Sequence, residues 1–211
     1  MTDHDIFLAG LEAELKKPLP GTTAQFLMAP SPDRYFDLIS DNYKKAAVLA
    51  LIYPIKDKMH LAYIVRSSGD RRDKHAGQIS LPGGKLETYD ESLLACALRE
   101  ADEEVGIKKQ DIKLLGQLSD VFVYVSNFMV YPYVAYSTTR PQFVIDSGEV
   151  EQLLEIPLSL LLDQKNIKKK DLTIRDYLLK DVPYYDINGK VLWGATAMMT
   201  SELMYIIKNI T

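Results

Sequence analysis

The chain has 211 residues, 47% hydrophobic and 26% charged, the make-up of an ordinary globular protein with material for one well-buried core. A net charge of −4 leaves no basic footprint for nucleic acid, and no apolar run approaches the ~18 residues of a membrane span. The single cysteine, Cys96, excludes an internal disulfide and fits a reducing compartment.

The N-terminus, Met1-Thr2-Asp3-His4-Asp5, lacks the charge pattern of a signal peptide, so a soluble, cytoplasmic protein is expected. From Asp5 to Lys17 the positions Phe7, Leu8, Leu11 and Leu15 predict a short amphipathic helix, stopped by Pro18 and Pro20. Leu19 to Pro30 is turn-rich and too irregular to place. Ala46 to Ile55 and His60 to Val65 read as strands around a turn at Lys56-Asp57-Lys58, the first apolar enough to be central. The following stretch to Gly84 is rich in Gly, Arg and Asp and reads as a charged loop.

Between Asp90 and Val105 the residues Leu94, Ala97, Leu98, Ala101 and Val105 predict a helix lying on a core, capped by Asp90 or Thr88 and ended by Gly106. Lys113 to Val125 and Phe128 to Tyr136 read as two strands. The polar turn Asp146 to Glu151 leads into a strand at Leu153 to Leu158 and a short helix to Leu162; Lys165 to Lys170 reads as a solvated loop. Leu172 to Leu179 and Val182 to Ile187 are strand candidates, and Asn188-Gly189 signals a hairpin into Lys190 to Trp193. A helix from Gly194 to Ile207 closes the chain. There is no internal repeat, low-complexity tract or linker, so residues 1–211 are expected to form one domain with helical embellishments at both ends.

On the central helix Glu100, Glu103 and Glu104 stand at i, i+3 and i+4 and form one carboxylate patch. A solvated acidic face is the ordinary meaning of such residues, but it fits poorly. Each like-charge pair costs roughly 0.2–0.5 kcal/mol, and two of the three glutamates lie at the C-terminal end, where the macrodipole disfavours anions. Arg99 can pair with Glu103 and offset part of this. A hard divalent cation, Mg²⁺ or Mn²⁺, would turn each cost into a gain.

The residues Arg99-Glu100-Ala101-Asp102-Glu103-Glu104-Val105-Gly106-Ile107, after Gly83-Gly84, resemble the box of the Nudix hydrolase superfamily. Its pattern is glycine, five residues, glutamate, seven residues, then Arg-Glu-U-x-Glu-Glu-x-Gly-U with U apolar. Here six residues rather than five separate Gly84 from Glu91, a long spacing similar to that of the coenzyme A pyrophosphatase branch. Arg66-Ser67 followed by His75-Ala76-Gly77-Gln78 resembles that branch's second motif, with about two extra residues and with Leu81 in place of the usual Phe. Leu19-Pro20-Gly21, Ala24-Gln25, Met28-Ala29-Pro30 and the stretch Trp193 to Ala197 extend the resemblance towards both ends.

The alternation of strands and helices implies an α/β or α+β fold; the resemblance implies a Nudix α/β/α sandwich around a mixed sheet. It further implies metal-dependent hydrolysis of a diphosphate, coenzyme A or its derivatives, to 3′,5′-ADP and 4′-phosphopantetheine. On this reading Glu100, Glu103 and Glu104 hold Mg²⁺ or Mn²⁺, with a backbone carbonyl from Gly83 or Gly84, and Arg99 orients the glutamates. Arg66, Arg71, Arg72, Lys74 or His75 would bind substrate phosphate, with either Arg71 or Arg72 standing for the branch's further arginine, and Gly83 and Gly84 lie alongside. Glu87 and Glu91 are further candidates, and Glu149 is a candidate general base on its late loop. Another nucleoside diphosphate such as ADP-ribose is the alternative substrate, and a non-enzymatic ligand sensor the alternative role. The expected partner is a small molecule, with neither nucleic acid nor membrane, and the oligomeric state stays open, a homodimer included.

Overall fold

The computed structural model describes residues 3–30, 39, 42–67, 77–174 and 177–210. Among these the elements run α1 (Asp3–Glu14), α2 (Thr22–Gln25), a 3-10 turn (Phe26–Met28), β1 (Lys44–Ile55), β2 (Lys58–Arg66), β3 (Ile79–Ser80), β4 (Gly83–Lys85) and α3 (Leu93–Val105). Then follow β5 (Lys113–Gln117), β6 (Val121–Val123), β7 (Phe128–Tyr136), β8 (Val150–Pro157), α4 (Leu158–Leu162), β9 (Ile167–Ile174), β10 (Tyr177–Ile187), β11 (Lys190–Trp193) and α5 (Gly194–Lys208).

β1 is central, as its continuous apolar sequence predicts. It runs parallel to β7 from Lys44 to Ile52, and on its other side it is antiparallel first to β4, at Ala46 to Val48, and then to β2, at Ile52 to Ile55. β2 in turn continues away from β1 to pair with β3 and β8. The sheet is therefore mixed, in an α+β fold. Side chains alternate between its faces. Ala46, Val48, Ala50 and Ile52 join Leu11 of α1, Leu161 of α4 and Leu203 of α5 in one core, whereas Leu49, Leu51 and Tyr53 join Ala101 and Val105 of α3 in another. Both faces are thus covered by helices, giving the α/β/α layering. Among the described residues no helix is long and apolar enough to cross a membrane.

Several local expectations need correction. α3 begins at Leu93 and is capped by Ser92, whose hydroxyl accepts from the Ala95 amide at 3.1 Å, not by Asp90 or Thr88. Asp90 is instead engaged in the turn before the helix, accepting from the Glu87 amide at 2.8 Å. The buried face of α3 is Cys96, Ala97, Ala101, Glu104 and Val105, with Leu94 and Leu98 only half-buried, because the small residues let the helix approach the sheet closely. The segment from Thr22 to Met28 is helical. The expected strand Lys113 to Val125 is broken between β5 and β6, where the Ser119 amide points to a buried carboxylate instead of a neighbouring strand.

Lys168, Lys169 and Lys170 lie in β9 and not in a loop. They pair with β10 in a three-stranded antiparallel sheet, and all three are exposed, so lysines pointing to either face reach solvent. Lys168 meets Asp186 at 2.5 Å and the Lys170 ammonium lies 5.9 Å from the Tyr184 ring centre. The expected strand Leu172 to Leu179 is divided between β9 and β10, which pair with each other. Asn188 and Gly189 both have positive φ, 51° and 89°, matching the tight hairpin into β11.

Candidate active site

The site lies where β4, the end of β2, the C-terminal half of α3 and the turn before β8 meet. Carboxylate oxygens of Glu100, Glu104 and Glu149 come within 4.8 Å of one another. Two come from adjacent turns of one helix; the third arrives because Val150, at the start of β8, pairs with Arg66 at the end of β2. The Asp146 amide donates to the Glu104 carbonyl at 3.1 Å and the Val150 amide to the Asp146 carbonyl at 2.8 Å, tying the Glu149 turn to α3.

Glu104 is buried, its side chain 1% exposed, and its Oε2 accepts from the Gly83 amide at 2.8 Å. Arg66 stands 3.6 Å from its Oε1, too far for a strong pair. Burial dominates and pushes the Glu104 carboxyl up to about 8; Glu100 and Glu149 add to the rise, while the Gly83 amide and Arg66 oppose it. Burial likewise raises Glu100, partly offset by Arg99. Carboxyls held above their ordinary range by burial and by one another are a converging oxygen donor set whose mutual repulsion a bound cation would relieve.

The turn before α3 is shaped to these glutamates. A Cβ on Gly84 would overlap the Glu100 carboxylate, so a side chain there would displace the end of the Glu100 side chain. Gly83 has φ +152° and presses on the Ala47 carbonyl and on Val48, leaving no room for a side chain. The Cys96 thiol points at the Gly84 carbonyl at 3.6 Å, and burial pushes it up to about 12, so it is an inert packing group.

Arg99 organises the ring of acids. Its Nε and Nη2 each reach Asp90 at 2.9 Å, and Nη1 lies 2.8 Å from both Glu100 and Glu103. Nη2 also donates to the Lys85 carbonyl at 3.3 Å, fastening β4 to the helix. This embrace holds Asp90 down at about 2 and raises Arg99 further. Spacing does not reveal Asp90 as the partner of Arg99: the two are nine residues apart, and Asp90 lies in the turn before a helix that starts at Leu93.

Of the expected residues, the structure gathers Glu100, Glu104, Glu149, Gly83, Gly84 and Arg66 in one place. Glu103 pairs with Arg99, its side chain 55% exposed, and lies outside the convergent group. Glu87 bonds Lys85 at 2.9 Å, and Glu91 is exposed and also outside that group. Arg71, Arg72, Lys74 and His75 lie outside the described residues.

A cleft of about 390 Å³ adjoins the glutamates from the α5 face of the sheet. Arg66, Gly83 and Gly84 belong to both, touching the carboxylates and lining the cleft. Its other walls are largely apolar: Phe122 and Val123 of β6, Phe128, Trp193, and Met198 and Met199 of α5. Sequence alone reads the methionines as core, and they are buried, but they also floor this cleft. The set could not be found from spacing because its members come from distant parts of the chain.

Comparison with known proteins gives a consistent result. A family model described as NUDIX domain matches residues 43–177. The chain is 34% identical over 179 residues to the uncharacterized Nudix hydrolase NudL of Photorhabdus laumondii, covering 85% of this chain and 91% of that one. It is 32% identical over 185 residues to the protein of that name in Yersinia pestis, covering 84% and 88%. Among solved structures, the Nudix hydrolase RenU from M. smegmatis shares the fold with a TM-score of 0.56 at 14% identity, over 82% of this chain and 98% of that one.

Proposed function

This chain belongs to the Nudix hydrolase family, and we propose that it is a divalent-metal-dependent diphosphate hydrolase acting on coenzyme A or its derivatives, with 3′,5′-ADP and 4′-phosphopantetheine, or its acylated form, as products. The observation that carries this reading is the junction at Gly83-Gly84. There a convergent acidic cluster and a mostly apolar cleft meet, so a diphosphate can lie against the glutamates while an organic arm fills the cleft.

Glu100 and Glu104 would hold Mg²⁺ or Mn²⁺, and the all-oxygen, multiply anionic donor set suits either ion. A bound divalent cation would supply charge neutralisation at the diphosphate and acidify water there. Glu149, exposed and beside the two helix glutamates, takes the proton from the attacking water. Arg99 fixes the carboxylates through its ion pairs without touching substrate, and Glu103 supports it. Arg66, which lines the cleft beside Glu104, meets substrate phosphate; Arg71, Arg72, Lys74 and His75 are proposed to read the 3′-phosphate of coenzyme A by charge-assisted hydrogen bonds.

The Arg-Ser to Gly-Gln motif supports coenzyme A over other nucleoside diphosphates. Product analysis with coenzyme A and ADP-ribose, each with Mg²⁺ or Mn²⁺, tests this reading. Release of 3′,5′-ADP from coenzyme A is expected; cleavage of ADP-ribose alone would replace the substrate, and inactivity on both with either metal would remove the reading.

A further inference from the structure

The Leu-Pro-Gly and Ala-Gln pieces near the N-terminus take no part in the site described above, yet they converge on one buried acid. Glu202 of α5 is 0% exposed. Its Oε1 accepts from the Gly21 amide at 3.1 Å and the Ser119 hydroxyl at 2.7 Å, and its Oε2 from the Gln25 side-chain amide at 2.9 Å. The Ser119 amide lies 3.3 and 3.2 Å from the two oxygens. Among the described residues no lysine or arginine pairs with it. Every partner donates, the pattern that an acceptor-only carboxylate satisfies. Beside it, the Ser201 hydroxyl donates to the Ala24 carbonyl at 2.7 Å.

Each partner lies on a segment that continues into a wall of the cleft. Gln25 leads through the 3-10 turn to Ala29 and Pro30, Ser119 leads into Phe122 and Val123, and Met198 and Met199 precede Glu202 by four and three residues on the same face of α5. We propose that Glu202 is a positioning residue for the cleft: one buried carboxylate clamps its three apolar walls in register, and so governs how well the organic arm of the substrate is held. This rests on the cleft being the substrate site, as proposed above. It leaves the carboxylate cluster on the opposite face of the sheet to do chemistry independently.

Glu202→Gln keeps the shape but turns an N–H group towards donors. Trp193, the single tryptophan, lines the cleft and reports its geometry without any substrate. The experiment compares acrylamide quenching of Trp193, and KM and kcat for coenzyme A with Mg²⁺, in wild type, Glu202→Gln and Leu161→Ala. The last variant removes a buried α4 side chain that does not line the cleft, and assays are run well below every unfolding temperature. Glu202→Gln should raise KM about tenfold or more, with kcat within about threefold, as for lost uniform binding. It should also expose Trp193 to quencher, while Leu161→Ala moves neither. Unchanged quenching, or an equal KM rise in Leu161→Ala, overturns the proposal. If Glu202→Gln does not fold, Ser119→Ala, which removes one donor, takes its place with the same direction expected. If wild type does not turn over coenzyme A, the substrate reading fails and the Trp193 measurement alone decides the clamp.

Discussion

The Gly83 amide donates to the Glu104 carboxylate at 2.8 Å inside a buried site, so the glycine turn is joined to the helix through one of the converging acids. Glu104 therefore serves two ends: it is a structural acceptor for β4 and one of three acids that converge. Glu104→Gln and Glu100→Gln, which keep shape and remove charge, should lower turnover by at least ~100-fold, the scale of a lost electrostatic contribution to a transition state. Glu103→Gln should cost much less, since that side chain pairs with Arg99 outside the cluster. Steady-state kinetics of the three variants checks the order, and a Glu103 effect as large as that of Glu104 would contradict it.

Stability of the metal-free protein should fall as pH rises through the Glu104 titration. Its carboxyl is raised by burial from 4.5 to about 8 in the folded chain. Protonation therefore favours the folded state: the stabilisation is complete below pH 4.5 and is lost as pH approaches 8. A single proton limits the slope to ~1.4 kcal/mol per pH unit. Unfolding temperatures measured in a chelator should fall over this window in wild type and less in Glu104→Gln, and millimolar Mg²⁺ or Mn²⁺ should restore the loss at the alkaline end.

Asp90 has the opposite sign. Arg99 lowers it from 3.8 to about 2, so its contribution is present above pH 3.8 and is lost as pH falls towards 2. Asp90→Asn should destabilise the protein by roughly 1.5–3 kcal/mol, the range for hydrogen bonds to charged groups. It should also lower kcat, because the same guanidinium holds Glu100. Denaturant unfolding and kinetics on the one variant check both, and full activity would separate Arg99 from the glutamates.

Much of this site is readable in sequence because it is local. Glu100, Glu103 and Glu104 share a helix, Gly83-Gly84 precede it, and periodicity places Gly106 after it. What fails is rotational and long-range. Glu104 rather than Leu98 occupies the buried face, since Ala97 and Ala101 set how the helix rolls onto β1. Glu149 is named in sequence through the family resemblance alone, since the pairing of Val150 with Arg66 that brings it to the cluster is long-range, and the partners of Glu202 lie more than eighty positions away from it. The lysines of β9 mislead because charge alone does not distinguish a loop from a solvent-exposed strand of a small sheet.

Gly84→Ala gives a local probe of the turn. A Cβ there would overlap Glu100 but no other residue as closely, whereas Gly83→Ala adds strain at φ +152° and overlap with β1. Gly84→Ala should lower activity and metal-induced stabilisation while the fold persists, and Gly83→Ala should also lower the unfolding temperature in chelator. Metal titrations followed by thermal unfolding distinguish them; wild-type activity in Gly84→Ala would show that the turn does not shape the site.

The most direct test is the ratio of kcat/KM for coenzyme A to that for dephospho-coenzyme A at saturating Mg²⁺ or Mn²⁺. A charge-assisted contact to the 3′-phosphate predicts a preference of ~10- to 150-fold for coenzyme A. A ratio of one would mean that the basic segment before Pro82 does not read that phosphate, and would contradict the assignment of coenzyme A as the substrate.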